Sequence, residues 1–282
     1  MVLRLAALTA LAGAATALAV VATLPGASEA NDTVDTLTKE QGCPDCRLLR
    51  AELRGLAIER ADFSSATLRE ADLKGASLPG ADFSRSDLQR AELEKASLRG
   101  ANFERAKMRH ADLEKSDARG AILRRADLRD ADLEGVQFTR ADMTDADLRH
   151  ANLRRSDLTD AMAGGVMAKH INMERAIAPG IDFSGADLVA ADLDRTVLTG
   201  ANFAGADLTG AKLTSADLRG ADLRGARLSN ALLRRTNFSG ADLSGAKGLS
   251  QEQLTMACGD ERTVLPGRLT LATCPEGMTT ED

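Results

Sequence analysis

The chain has 282 residues, 36 basic and 42 acidic side chains, and a net charge of -6. It holds seven Phe and neither Tyr nor Trp, so its interior must be filled by small and medium aliphatic groups and must be narrow. The charges are mixed in sign, which gives no general pull toward nucleic acid or anionic lipid.

The first thirty residues stand apart from the rest. Arg4 is followed by an uncharged run from Leu5 to Leu24, and then by Ser28-Glu29-Ala30. This pattern predicts a secretory signal over residues 1–30, cleaved after Ala30. The apolar run is also long enough for an uncleaved membrane anchor, which is the competing reading and the only route to the membrane. A lipoprotein anchor is not expected, because no Cys sits just after the run. The expected destination is outside the cytoplasm, most simply a periplasm.

From Ala51 onward the chain repeats every five residues. Fourteen triplets read Ala-Asp followed by Leu, Phe or Met, among them Ala71-Asp72-Leu73 and Ala221-Asp222-Leu223. Taking the third residue as a centre, centres run in unbroken steps of five from Leu53 to Leu243, giving 39 repeats. Thirty-five centres are Leu, Ile, Phe or Met, and the residue two before the centre is Ala in 29 repeats. A helix cannot use this pattern, because five residues rotate the apolar pair by roughly 140° and spread it around the axis. The first three residues read instead as a very short strand with two inward side chains. The last two read as a turn, where Gly75, Gly100, Gly185, Gly205 and Gly225 allow a positive φ. A strand that bends inward every five residues winds into a coil, and stacked coils share one core. Phe63, Phe83 and Phe103 are 20 residues apart, as are Phe183 and Phe203. That spacing suggests four repeats per coil.

The run Ala-Asp-Leu-x-x, repeated over about residues 51–247, resembles the pentapeptide-repeat family. The resemblance implies an all-β, right-handed quadrilateral β-helix of four repeats per coil, about ten coils and on the order of 48 Å long. The centre and the residue two before it would point inward, leaving no room for a ligand, so function would lie on the walls or the ends. The consensus weakens over residues 161–180, where Ala163, Ala168 and Ala178 replace large centres and Met162, Met167 and Ile177 take outward positions. A bulge or bend is expected there, and the three outward apolar residues are a candidate patch for a partner or for a homodimer.

Ends of a ladder invite pairing and are usually covered. Residues 31–50 are expected to cap one end and residues 248–282 the other. In the second cap, Ser250-Gln251-Glu252-Gln253 forms a capping-box pattern opening a helix from Gln251 to Cys258, ended by Gly259. An even cysteine count in an exported chain suggests disulfides. About ten coils separate Cys43 and Cys46 from Cys258 and Cys274, whereas bridged Cα atoms lie within about 7 Å. The rod therefore pairs Cys43 with Cys46 and Cys258 with Cys274. Cys43-Pro44-Asp45-Cys46 also matches the C-x-x-C of thiol oxidoreductases, but the repeat supplies no thioredoxin-like surroundings.

His110, His150 and His170 differ by multiples of 20, with Asp130 at the step between the first two. Asp130, His150 and His170 are a candidate metal site, since imidazole and carboxylate are good ligands and consecutive coils would bring them close; a solvated corner column is the plainer account. No nucleophile with an adjacent base and no phosphate loop is present in the sequence, so neither an enzyme nor a cofactor is expected. Some family members imitate DNA and occupy topoisomerases, but that needs strongly acidic walls. Residues 51–160 carry 20 basic and 22 acidic side chains, and residues 181–245 carry 7 and 8. The expected function is an exported structural or interaction scaffold with an unidentified envelope protein as partner and no nucleic acid; a DNA mimic and a metal-binding surface are the alternatives.

Overall fold

A computed structural model describes residues 27–275, with side chains from 33 onward; the segment expected to form most of the signal, residues 1–26, lies outside the described residues. Each outward residue pairs in parallel with the residue twenty further on, from Gly42 with Asp62 to Arg227 with Lys247. Twenty residues therefore make one coil, and four repeats make its four walls. We number the walls by their first full-consensus positions: wall 1 through Glu52 and Asp72, wall 2 through Ala57 and Ser77, wall 3 through Asp62 and Asp82, wall 4 through Thr67 and Asp87. The result is the right-handed quadrilateral β-helix.

The five-residue unit satisfies its backbone groups in a fixed way. In the repeat centred on Leu53, the Leu53 N–H donates to Asp72 O at 2.8 Å, Gly55 N–H to Lys74 O at 2.9 Å, and Leu56 N–H back across the corner to Leu53 O at 3.0 Å. The Asp72 N–H returns to Ala51 O at 2.9 Å. Rungs within the ladder thus close through backbone groups, and only at the C-terminal edge do side chains such as Asp260, which accepts the Gly240 N–H at 2.8 Å, take over. The last residue of each repeat has a positive φ whatever its identity: Gly55 has 67°, but Arg60 has 55°, His150 61° and Asp160 55°. Gly is free there, while a residue with a Cβ is held by its rung at a cost of about 1–2 kcal/mol.

The inward positions form one continuous core. Centres and small residues are 0–2% exposed along nearly the whole ladder. Phe63, Phe83 and Phe103 stack along wall 3 with centroids 5.3 and 5.0 Å apart, and Phe183 and Phe203 stack at 5.5 Å on the same wall. Four of the five polar small residues donate to a carbonyl, as Ser86 does to Phe83 O at 2.7 Å and Thr196 to Met173 O at 2.9 Å, whereas the Ser116 hydroxyl is buried without a partner.

Three expectations need correction. Residues 161–180 show neither bulge nor bend: Met162 pairs with both Asp142 and Asp182, and Ile177 with both Asp157 and Val197. The Ala centres are compensated by larger neighbours, since Val166, Ile171 and Ile181 are buried where Ala usually sits, so core volume is kept. The N-terminal cap is smaller than residues 31–50. Helix α1, Ala27–Glu40, ends there, and the ladder begins at Gly42, with Cys43 and Leu48 in the phase of the centres. Ala30, the expected cleavage position, lies inside α1, and Leu37 of this helix is buried against the first coil with Val34 beside it.

The third correction concerns the C-terminal helix. Helix α2 spans Gln251–Leu254, with the capping box present at Ser250 and Gln253, but it stops before Cys258. The Cys258 N–H donates to Thr236 O at 3.0 Å and its carbonyl accepts from Phe238 N–H at 2.8 Å, so ladder pairing outcompetes helix. Strand β1, Cys258–Gly259, then pairs in parallel with β2, Ala272–Thr273. Side chains cover the remaining edge. Gln253 Nε2 donates to Leu228 O and Ala231 O at 2.8 and 3.0 Å, and Thr263 Oγ1 donates to Phe238 O at 3.0 Å.

Candidate interaction surface

Each wall presents one ladder of outward residues, flanked by corner columns. The outward Asp or Asn shapes its own corner. Its Oδ1 accepts the N–H two residues on, as Asp62 does from Ser64 at 2.9 Å, Asp112 from Glu114 at 2.9 Å and Asp182 from Ser184 at 3.0 Å. This is an Asx turn, which holds the bend in place. Lost as a single hydrogen bond, one such cap is worth about 1 kcal/mol. The carboxylates that remain free pair with Arg and Lys on the same or the next coil. Arg129 is bidentate on Asp127, at 2.7 and 2.6 Å, and also lies 3.4 Å from Asp147. Arg149 holds Asp147 in the same way at 2.8 and 2.6 Å. Lys74 reaches both Glu92 and Glu94 at 3.0 Å.

These contacts shift proton affinities in both directions. The Arg119 guanidinium, helped by Arg99, holds the Asp117 carboxyl down at about 2. Burial, with Glu94 beside it, pushes the Asp112 carboxyl up. A carboxyl lowered in the folded state stabilises the fold above its unfolded value of about 3.9 and ceases to do so as pH falls through the folded value. Asp117 should therefore contribute to acid unfolding between about pH 4 and pH 2. Acid titration of D117N, followed by circular dichroism, should show a shallower loss of stability across that window than the parent chain; identical slopes would exclude the assignment.

The expected metal site does not form. His150 and His170 stack as parallel rings, 5.0 Å between centroids and 6° between planes. Parallel rings hold their in-plane nitrogens side by side instead of converging on one point, which a bound ion requires. Asp130 turns to Arg109 at 3.7 Å. Among the described residues, no group of three or more His, Cys, Asp or Glu is placed to hold a metal ion.

Cys43 and Cys46 are joined, with Cα atoms 5.6 Å apart, as are Cys258 and Cys274 at 4.7 Å. The first bond joins the centre of the opening repeat to the first inward residue of the next. The second fastens β2 to β1, and Cys274 N–H also donates to Gly259 O at 2.9 Å.

Met162, Met167 and Ile177 are exposed at 48%, 42% and 50%, but they do not form one patch. A step of five residues turns the chain to the next wall, so Ile177 lies on wall 2, Met162 on wall 3 and Met167 on wall 4. They make a broken belt around one coil. Each also lacks the Asx acceptor that Asp or Asn supplies to the turn in most repeats. Leu232, Met256 and Val264 are the other large exposed apolar side chains among the described residues, and all belong to the C-terminal end, which the repeat pattern did not single out.

A closed, stacked coil with patterned walls and a filled core defines a β-helical repeat protein. Eight copies of the family model for pentapeptide repeats match residues 46–85, 86–125, 121–160, 180–214 and 211–247, and the chain belongs to this family. The matches pass over the coil that carries Met162, Met167 and Ile177. Among solved structures, HetL, a pentapeptide repeat protein involved in heterocyst differentiation regulation in the cyanobacterium Nostoc sp. strain PCC 7120, is 30% identical, with a TM-score of 0.54 over 73% of this chain and 92% of its own. Rfr23 from the cyanobacterium Cyanothece 51142 is 30% identical over 33% of this chain and 63% of its own, with a TM-score of 0.29. QnrB1, a plasmid-mediated fluoroquinolone resistance protein, is 20% identical over 66% of this chain and 92% of its own, with a TM-score of 0.28. No curated protein matches the chain in sequence.

Proposed function

We propose that this chain is an exported, non-catalytic scaffold of the cell envelope that presents the walls of its β-helix to a protein partner. The observation that carries this reading is the division of labour in every repeat. Inward side chains close the core to 0–2% exposure along nearly the whole ladder, while outward side chains stand in ladders that serve the fold mainly through turn capping, ion pairs and a few Asn–Asp bonds between coils. Such pairs add little stability, so their arrangement is free to serve recognition. Export is supported by the uncharged run from Leu5 to Leu24 with Ser28-Glu29-Ala30 behind it, and by two disulfides, which persist in oxidising compartments. No helix of the described residues is long and apolar enough to cross a membrane.

The test is affinity capture from envelope extract by the mature chain, with one wall at a time recharged by Arg-to-Asp and Asp-to-Arg exchanges. One prey lost with one wall is the expected result. Capture unaffected by any wall, or no specific prey at all, would end the scaffold reading. Cell fractionation of the full-length chain checks export independently.

A further inference from the structure

On wall 3, Met162 takes a ladder position between Asp142 and Asp182. The corner before it ends in Asp160, and the corner after it is Gly164-Gly165. Two carboxylates lean over bare glycines beside this strand. Asp160 Oδ1 lies 2.6 Å from where a Cβ of Gly180 would stand, and Asp145 Oδ1 lies 2.9 Å from that of Gly165. Neither glycine is demanded by the backbone, because corners with the same positive φ carry Arg140, Asp145 and Asp160. Gly165 leaves room for Asp145 to turn toward the rung of Met162, and Gly180 lets Asp160, which opens that same rung, lean toward the rung of Asp182.

Both carboxylates are more than half exposed, and their ion pairs are long: Arg125 to Asp145 at 3.6 Å and Arg140 to Asp160 at 4.0 Å. Such pairs exchange readily for a better cation. Around Met162, from Arg140 to Gly205 along wall 3 and its corners, the outward positions hold one Arg and four Asp. Above Asp182 the wall continues through Ser184, Gly185, Asn202, Ala204 and Gly205, low in relief and without a competing base. An exposed thioether set among carboxylates, where the family pattern places a turn-capping Asp, gives up a cap for an apolar contact.

We propose that wall 3 at Met162 docks a cationic protein segment, one large apolar side chain resting on Met162 and Lys or Arg on either side meeting Asp145 and Asp160. The charge sign selects this occupant over a second copy of the chain, whose own wall 3 would bring aspartate against aspartate. The proposal rests on the scaffold reading and names its partner chemistry.

The probe is a short fluorescent peptide with a central Leu between Lys residues, in a Gly/Ser background, with two controls: Glu replacing Lys, and Ser replacing Leu. Anisotropy titration of the full mature chain should give binding that weakens with added salt and is lost with either control. M162D should weaken it about tenfold or more, the worth of one buried apolar side chain. D145N/D160N should weaken it by about fivefold, while D187N/D207N on wall 4 should leave it unchanged. M162D installs the family's own turn cap at Gly164, so its melting temperature should hold or rise; M162S, which cannot complete an ion pair, serves as the second variant. Binding as tight as the parent's by both M162D and M162S, equal binding of the Glu peptide, or sensitivity to wall 4 instead of wall 3 would overturn the proposal. So would a dimer of the parent chain that M162D dissolves. If envelope capture still depends on another wall, the site alone has failed; if no wall matters, the scaffold reading has failed with it.

Discussion

Replacing Phe83 with Ala should lower the melting temperature by about 10 °C. Phe83 is the middle ring of a stack of three, fully buried between Phe63 and Phe103. Loss of a buried Phe costs about 3–5 kcal/mol, and one kcal/mol shifts a chain of this size by about 2–4 °C. The coil cannot collapse around the gap, because the rungs above and below fix its diameter. In a stacked array each coil touches only its neighbours, so the damage should be local. Hydrogen exchange should accelerate at the Phe83 and Asn102 amides, which donate to Asn102 O and Ala81 O, and stay slow at Phe203. Equal acceleration at both sites would mean that the whole ladder opens as one unit.

Replacing both Cys258 and Cys274 with Ser should detach the C-terminal strand and make the chain self-associate. The bond closes a loop of 16 residues, worth about 3 kcal/mol in the chain-entropy account. β2 is exposed and is held by two Cα pairings to β1, too few to replace the bond. Once β2 leaves, Cys258–Gly259 becomes an open edge, the form that pairs with other chains. Sedimentation velocity should show association that the parent lacks. The same exchange at Cys43 and Cys46, whose separation is 3 residues, should disturb only the opening of the ladder. A monomeric C258S/C274S chain would show that Gln253 and Thr263, with their bonds to the last rung, are cap enough.

The five-residue period made the fold legible, because the interior admits only one arrangement of small and large side chains per repeat. Its beginning was hidden by chemistry: Cys43 and Cys46 occupy the inward phase, but two cysteines in C-x-x-C spacing read as a staple outside the ladder. The end of α2 was hidden for a different reason. Nothing local stops a helix before Cys258; its pairing with Asn237 is a long-range fact. The wall of each outward residue was legible and missed. The same count of twenty that grouped the phenylalanines also separates Met162, Met167 and Ile177. The lean of Asp145 and Asp160 over Gly165 and Gly180 was not legible, since it depends on side-chain placement between coils.

The coil length of twenty residues, with every corner stacked on the one below, makes the rod a screw of fixed pitch. Deleting one repeat removes a quarter turn: everything beyond the cut advances to the neighbouring wall, and a phenylalanine stack interrupted by the cut is split between two walls. Deleting four repeats restores every wall and merely shortens the thread. Two binding residues far apart in the chain therefore share a wall, in angular register, only when their positions differ by a multiple of twenty. Loss of function on removing five residues and recovery on removing twenty would measure that register directly.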